Sequence, residues 1–214
     1  YLNNKKIGVI AKNASYIELD GFHAHIGSQI TTPDSFINSA KTMVEFLKDV
    51  KEKYDFEAKV LNLGGGFGIK YLKTDTEIDL EKTLKEVVKE VEDLTNKFKI
   101  ALNTLMIEPG RSIVGDACST LYTIGDLKET YNKKIYLPVD GGMNDNIRPA
   151  LYQAKYSVDV ANKMNELKTI KCDIVGPCCE SGDIIAQGVE VPSFKRGDIL
   201  VVYSTGAYGY SMSM

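Results

Sequence analysis

The sequence is short of the features that mark several classes of protein. No apolar run in its 214 residues approaches the roughly 20 residues that a membrane-spanning helix needs. The net charge is only −3, so a nucleic-acid or membrane-surface partner has no electrostatic support. Two histidines and four cysteines are present, and their spacing matches no zinc motif. The simplest interpretation is a reduced, cytoplasmic protein with no metal site and no nucleic-acid or membrane partner.

The sequence also lacks an ordinary beginning. It starts at Tyr1 rather than at a methionine, carries no secretory signal, and enters a strand-like run almost at once. We therefore expect a fragment of a longer protein. What is present has ordinary globular composition, 43% hydrophobic and 26% charged, in a chain long enough for one domain or two.

The first half alternates between strand-like and helix-like patterns. We expect two strands within residues 7–30, a helix from a Thr32 N-cap to about Tyr54, a strand over 56–63, a helix over 79–97 and a strand over 102–107. Such alternation is typical of parallel strands joined by crossover helices.

Three of these strands end in polar or glycine-rich clusters. The clusters are His25–Ser28, Gly64–Gly66 and Glu108–Arg111. They are expected at the carboxyl ends of parallel strands, where α/β proteins build their sites. Taken singly, each has a plainer alternative: a structural histidine, a flexible loop, or a surface turn with a Glu–Arg ion pair. The glycine cluster is neither a Walker A loop nor the spaced glycine pattern of a Rossmann turn.

The second half has short β-like segments and no long helical period. The boundary is expected near residues 112–118, which gives domains 1–115 and 116–214. One short helix is expected at Arg148, because Pro149 suits a first turn. Arg148 and Tyr152 would share a face of that helix and could hold a carboxylate.

Two further clusters carry reactive or aromatic groups. Cys178 and Cys179 precede Glu180 in a tight polar turn, where a thiol can be a proton donor or simply a small buried residue. Tyr208 lies in a turn flanked by Gly206 and Gly209, available to a ligand or to the core.

Together these clusters resemble the fold-type III, pyridoxal-phosphate-dependent decarboxylases, and within them the diaminopimelate decarboxylase branch. The resemblance rests on six segments in order: His25–Gln29, Gly64–Gly66, Glu108–Arg111, Asn146–Tyr152, Cys179–Ser181 and Gly206–Tyr208. It implies an α/β plus all-β fold, in which the C-terminal part of a (β/α)8 barrel is followed by a β-sandwich or β-barrel-like domain.

The resemblance also implies a pyridoxal 5'-phosphate site. His25 would stack on the pyridine ring, Glu108 would pair with its nitrogen, and the other positions would hold the phosphate or the ring. The cofactor-binding residues expected on this basis are His25, Ser28, Gly65, Gly66, Glu108, Pro109, Gly110, Arg111 and Tyr208.

The implied reaction is decarboxylation of meso-2,6-diaminopimelate to L-lysine, a step of lysine biosynthesis. Cys179 would be catalytic and return a proton to Cα. In the family this cysteine and Glu180 serve the partner subunit, which implies a homodimer with active sites at its interface. The expected substrate-binding residues are Arg111, Arg148, Tyr152, Glu180 and Tyr208.

One family feature is not found in the sequence. The cofactor-attaching lysine of the family lies over a hundred residues before the histidine, in a motif like Ala-x-Lys-Ala-Asn. The segment Ile10–Ala14 only imitates it, since its order differs and it lies close to His25. We therefore expect the 214-residue chain alone to be inactive. Alternatives are an ornithine, arginine or carboxynorspermidine decarboxylase of the same fold, a non-catalytic homologue, or an unrelated α/β protein.

Overall fold

The computed structural model describes residues 13–214. The first expected strand, within residues 7–30, and the first three residues of Ile10–Ala14 lie outside the described residues. The chain divides into two compact units. The first comprises the described residues up to Gly68 together with Glu77–Gly110, and the second comprises Ile69–Thr76 together with Arg111–Met214.

The first unit contains a small parallel sheet and two long helices. Strands β1, β2 and β3 lie in that order, with His23 opposite Asn62 and Asn62 opposite Met106. The elements of this unit are β1 Gly21–His23, α1 Pro33–Tyr54, β2 Val60–Asn62, α2 Leu80–Phe98 and β3 Thr104–Met106. The predicted strand–helix alternation and the parallel pairing are confirmed, although each strand is only three residues long.

Both long helices form for reasons that the sequence displays. In α1 the buried residues Phe36, Ala40 and Val44 recur every fourth position, which gives one apolar stripe. Pro33 takes the first turn, but the Thr32 hydroxyl makes no capping hydrogen bond. In α2 the Asp79 side chain caps the helix by accepting from the backbone N–H of Lys82 at 2.9 Å.

Apolar residues from the helices and the sheet form the core of the first unit. The fully covered positions include Ala40 and Val44 of α1 and Leu61 of β2, each at 0% exposure. Burying a side chain of this size contributes about 1.5–3 kcal/mol for valine or leucine. The sheet is therefore anchored at its centre, and the residues that follow each strand are held at one edge.

The second unit is mainly β-structure. One sheet has the antiparallel order β4-β10-β7, and the other has the order β5-β6-β8-β9 with β6 and β8 parallel. Its strands are β4 Thr120–Thr123, β5 Lys128–Glu129, β6 Ile135–Pro138, β7 Val158–Val160, β8 Lys168–Val175, β9 Ile184–Pro192 and β10 Ile199–Val202. At this coarse level, an α/β part and a β-sheet part, the predicted fold class is confirmed.

Two short helices interrupt this β-structure. Helix α3 covers Gly110–Val114, and α4 covers Arg148–Tyr152 as expected. The first of these was not predicted from the sequence; Pro109 immediately precedes it, and the fixed φ of proline suits a helix start. Single-turn 3₁₀ helices also occur at Gly115–Ala117, Ala161–Lys163 and Tyr210–Met212.

The segment Ile69–Thr76 is part of the second unit although it precedes α2 in the chain. Ile69 and Tyr71 belong to the hydrophobic core of that unit. The Ser157 hydroxyl donates to the Tyr71 carbonyl at 2.6 Å, and the Ser157 N–H donates to the same oxygen at 3.2 Å. Among residues 13–214, no helix has the length and apolar character needed to cross a membrane.

Candidate functional site

In the first unit, the backbones that follow the three strands approach one another closely. A Cβ on Gly65 would lie 2.0 Å from the Glu108 carbonyl oxygen, and one on Gly66 would lie 2.2 Å from that of Gly27. Gly64 and Gly66 also have positive φ angles of 68° and 97°, which other residues adopt only at a cost. The three glycines are therefore required by geometry, and they bring the ends of all three strands together.

The imidazole of His25 is fixed by this turn. The Gly65 N–H donates to His25 Nδ1 at 3.2 Å. A ring nitrogen that accepts a hydrogen bond carries no proton, so the ring hydrogen of this tautomer lies on Nε2. His25 is exposed, which leaves its ring face open.

The carboxylate of Glu108 has a partner on each oxygen. Asn62 Nδ2 donates to Oε1 at 2.8 Å, and His23 Nε2 lies 3.4 Å from Oε2. The same Asn62 side chain accepts from the Gly64 N–H through Oδ1 at 2.8 Å. Glu108 is therefore oriented by residues at the ends of β1 and β2.

The remaining residues predicted to bind the cofactor in this region flank these groups. Ser28 follows Gly27 in an exposed turn after β1. Pro109 and Gly110 follow Glu108, and a Cβ on Gly110 would meet nothing within 4 Å. The structure thus brings His25, Gly65, Gly66 and Glu108 together through contacts, with Ser28 and Pro109 next to them in sequence.

In the second unit, two buried arginines share one phenol. Arg111 and Arg148 are 7% and 8% exposed. Both donate through Nη1 to the Tyr71 hydroxyl, with Arg148 at 3.3 Å. Arg148 Nη1 also donates to the Tyr156 hydroxyl at 2.5 Å. The two positive charges are therefore held side by side by phenol groups.

Aromatic rings complete this cluster. The Arg111 guanidinium lies 4.8 Å from the centroid of the Tyr208 ring, and that of Arg148 lies 5.6 Å from it. The Tyr71 and Tyr156 rings meet edge to face at 5.2 Å. Cation–π contacts of this kind offset part of the cost of burying a guanidinium.

The charge states in this cluster follow from burial and from these partners. Burial acts against the Arg148 charge, but the electrostatic influence and hydrogen bonds of Tyr156 and Tyr71 outweigh it and raise the pKa of Arg148. Burial also raises the pKa of Tyr156, with Arg148 offsetting only part of the effect. At neutral pH the cluster therefore has a charged guanidinium beside a neutral phenol, an arrangement that suits a carboxylate ligand.

Tyr152 is placed differently from its helical neighbour. Arg148 is buried, whereas Tyr152 is 61% exposed. Within the described part of the chain, the hydroxyls that contact the Arg148 guanidinium come from Tyr71 and Tyr156 rather than from Tyr152. The expected short helix exists, but its two polar residues do not meet.

Asp183 organises the turn that carries the two cysteines. This carboxylate is 3% exposed and accepts from the N–H groups of Met143 at 2.7 Å and Cys178 at 2.8 Å. A Cβ on Gly142 or Gly176 would lie within 2.4 Å of its oxygens. Asp183 therefore joins the turn at 177–182 to the loop at 141–146.

The cysteines and Glu180 lie exposed on this turn. All four cysteines of the chain are free. Desolvation of the thiol, followed by the hydrogen bond and charge of the Asp183 carboxylate, raises the pKa of Cys178, so its thiol stays protonated at neutral pH. Cys179 and Glu180 are both exposed and available to a second molecule.

Sequence reasoning missed several residues of these clusters. Tyr71 and Tyr156 carried no signal, because their roles depend on partners far along the chain. The contact of His23 with Glu108 was not foreseen either. Asn62 and Asp183 could have been suspected, since Asn62 lies two residues before the glycine turn and Asp183 directly follows Gly182.

These sites belong to a known class of protein. The chain is a member of the family described as pyridoxal-dependent decarboxylase, C-terminal sheet domain, whose model matches residues 14–206. This finding confirms the family that the motifs indicated, together with its dependence on pyridoxal phosphate.

Particular relatives narrow the class. The chain is 47% identical over 204 residues to diaminopimelate decarboxylase of Bacillus methanolicus, covering 95% of this chain and 47% of the relative. It is 45% identical over 200 residues to that of Bacillus subtilis (strain 168), covering 94% and 46%. The crystal structure of diaminopimelate decarboxylase from M. jannaschii in co-complex with L-lysine is similar with a TM-score of 0.86 and 32% identity, covering 98% of this chain and 47% of that one. The chain thus spans about half the length of the curated relatives it matches.

Proposed function

We propose that the protein uses pyridoxal 5'-phosphate to decarboxylate meso-2,6-diaminopimelate, giving L-lysine and carbon dioxide. The observation that carries this proposal is the pair of buried arginines, Arg111 and Arg148, held by phenols. A substrate with a second carboxylate is the kind of ligand that such a pair recognises. Identity of 45–47% to diaminopimelate decarboxylases supports the same substrate.

The residues of the first unit fit the cofactor. Three glycines with close backbone approaches leave a turn with no Cβ in the way of a phosphate, as anion-binding turns require. Ser28, Gly65, Gly66 and the backbone of Pro109, Gly110 and Arg111 would hold that phosphate. The open face of His25 would stack on the pyridine ring. Tyr208 would also contact the cofactor.

Glu108 would pair with the ring nitrogen. When bound, pyridoxal phosphate supplies an electron sink for the pair left on Cα as carbon dioxide departs. A carboxylate next to the nitrogen favours its protonated form, in which the sink is stronger. Glu108 would therefore hold a proton at that nitrogen.

Residues of the second unit would bind the distal carboxylate and ammonium groups of the substrate. Arg111 and Arg148 would bind the distal carboxylate, with Tyr152 and Tyr208 adding hydroxyl groups. Glu180 would pair with the distal ammonium. A diacid would then be preferred to a substrate such as ornithine, which cannot neutralise the arginine pair.

Cys179 would return a proton to Cα. Its exposure, and that of Glu180 beside it, support a role in a partner's active site, and we infer a homodimer in which each subunit supplies this turn. The four free cysteines fit a reducing compartment such as the cytoplasm.

The finer architecture is part of the same proposal. Within residues 1–115, the parallel sheet and its helices would be the C-terminal part of a (β/α)8 barrel. Residues 116–214 would form the β-sandwich or β-barrel-like domain. The strand order β1-β2-β3 with intervening helices supports this assignment, since a barrel repeats that unit.

The test is an assay of the full-length gene product with pyridoxal phosphate, measuring carbon dioxide release from meso-diaminopimelate, ornithine and arginine. We expect the highest kcat/KM for diaminopimelate. Arg148→Met should lower that value about a hundredfold, since a charge-assisted contact contributes about 1.5–3 kcal/mol. Preferential turnover of ornithine or arginine, or no decarboxylation of any of the three, would overturn the proposal.

A further inference from the structure

The ends of the three parallel strands carry a hydrogen-bonded set of side chains centred on Glu108. His23 is the last residue of β1, and Asn62 is the last residue of β2. These two residues are register partners in neighbouring parallel strands, so their side chains emerge on the same face. Glu108 follows β3 by two positions, and its carboxylate meets both.

Asn62 makes one donating and one accepting contact, one through each end of its side-chain amide. Its Nδ2 donates to Glu108 Oε1, and its Oδ1 accepts from the Gly64 N–H, both at 2.8 Å. One partner needs a donor and the other needs an acceptor, so the amide orientation is determined by its surroundings. An aspartate here could serve Gly64 but would place a second negative charge against Glu108.

His23 occupies the other oxygen of the carboxylate. Its Nε2 lies 3.4 Å from Glu108 Oε2. With Asn62 on Oε1 and His23 on Oε2, rotation of the carboxylate would break one contact or the other. The side chains of His23 and Glu108 are 51% and 55% exposed, and polar contacts this exposed contribute little to folding. Orientation, rather than stability, is what the arrangement supplies.

The same set reaches His25. Asn62 binds the Gly64 N–H, and the next N–H, that of Gly65, donates to His25 Nδ1 at 3.2 Å. The Asn62 side chain thus joins Glu108, the glycine turn and the His25 imidazole. A displacement of Asn62 would disturb all three.

We propose that Asn62 and His23 are positioning residues that orient Glu108, with Asn62 also coupling Glu108 to the turn that holds His25. The inference rests on the proposed function, in which Glu108 serves the cofactor's ring nitrogen. Neither residue touches the reacting atoms in this scheme. Their effects pass through Glu108.

The first experiment needs no cofactor. In the purified protein, side-chain amide resonances of Asn62 and Asn96 are followed by NMR in the wild type and in Glu108→Ala. We expect faster amide-proton exchange and a shifted resonance for Asn62, whereas Asn96, which is exposed on α2, stays unchanged. An Asn62 resonance that does not respond to Glu108→Ala would overturn the coupling.

The second experiment measures the dissociation constant of pyridoxal phosphate from the full-length gene product by absorbance titration. Asn62→Asp should weaken binding about tenfold, as expected for loss of a contact to a charged group, and His23→Ala by a smaller factor that His23→Gln restores. The matched control Asn96→Asp should bind as the wild type does. Because Asn62 acts through Glu108, the Asn62→Asp/Glu108→Ala double variant should bind no more weakly than Glu108→Ala alone.

Additive losses in the double variant would overturn the proposal, as would unchanged binding by Asn62→Asp. Circular dichroism checks that each variant folds. If Asn62→Asp does not fold, the same comparison of single and double variants is made with Asn62→Ser. Failure of the wild type to bind pyridoxal phosphate would instead contradict the proposed function, while the NMR measurement still decides whether Asn62 holds Glu108.

Discussion

The two units hold their charged groups in opposite ways. The first unit leaves Glu108 half-exposed and fixes it with side chains at the ends of neighbouring strands, beside a turn in which glycine backbones nearly touch. The second unit buries Arg111 and Arg148 and surrounds them with tyrosines. The first unit therefore depends on close backbone contacts in the glycine turn, whereas the arginine cluster of the second unit depends on contacts between long side chains.

This difference predicts how each unit responds to substitution. A turn built from close backbone contacts has no room to adapt, so even one added carbon should matter. A cluster of long side chains can lose a single atom and keep its packing, so its responses should be graded. Three substitutions test this contrast.

The largest effect is expected for Gly65→Ala in the first unit. Its Cβ would lie 2.0 Å from the Glu108 carbonyl oxygen, so the backbone must move, and we expect the free energy of unfolding to fall by about 3 kcal/mol. Urea unfolding of the purified chain measures the change. Gly110→Ala is the matched control, because its Cβ meets nothing within 4 Å. Equal stability of the two variants would contradict the rigid turn.

An intermediate effect is expected for Asp198→Asn in the second unit. Asp198 is 2% exposed; it accepts from Asn162 at 2.9 Å and from the Lys195 N–H at 2.8 Å, and it lies 3.2 Å from Lys163. These contacts lower the pKa of Asp198 from 3.8 to about 2. Because the folded pKa is the lower one, the stabilisation is complete above the unfolded value and is lost as pH falls from about 4 through about 2.

At neutral pH, Asp198→Asn should therefore cost about 2 kcal/mol of unfolding free energy, and the difference from the wild type should vanish on acidification. Glu57→Gln in the first unit is the comparison. The hydrogen bond from Lys51, followed by that from the Ala101 N–H, lowers the pKa of Glu57, but both side chains are well exposed. We expect a much smaller change there. A pH-independent loss in Asp198→Asn would refute this account.

The smallest effect is expected for Tyr71→Phe. The ring and its packing remain, but Arg111 and Arg148 lose the hydroxyl that both contact. We expect a loss of about 1 kcal/mol of stability, because one hydrogen-bond acceptor is removed. Binding of a dicarboxylate such as pimelate should weaken more than binding of hexanoate. Tyr131→Phe, at a fully exposed position, should change neither. Equal weakening of both ligands would show that Tyr71 does not align the arginines.

The contrast also explains how far the sequence could be read. Helix α1 was predictable because Phe36, Ala40 and Val44 repeat at the helical period, which is local information. The glycine turn and the Glu-Pro-Gly-Arg segment were recognisable for the same reason, since a few adjacent residues determine the conformation of each.

The arginine cluster was only half visible. Arg148 was singled out because Pro149 follows it. Its partner Tyr71 lies 77 positions away, and no sequence pattern around Tyr71 indicates such a contact. Tyr152 attracted attention through helical spacing, whereas the nearby Tyr156 makes the contact. Tertiary packing decided between them, because it buried one tyrosine and exposed the other. The roles of the site residues toward ligands remain predictions.

The placement of Ile69–Thr76 has a practical consequence for protein engineering. The β-rich unit is discontinuous along the gene: its core takes Ile69 and Tyr71 from a stretch lying ahead of α2. Expression of residues 111–214 alone would remove the side chains of Ile69 and Tyr71 and expose the core residues that they cover to water. Anyone who swaps this module between homologues must therefore transplant two stretches of coding sequence, not one.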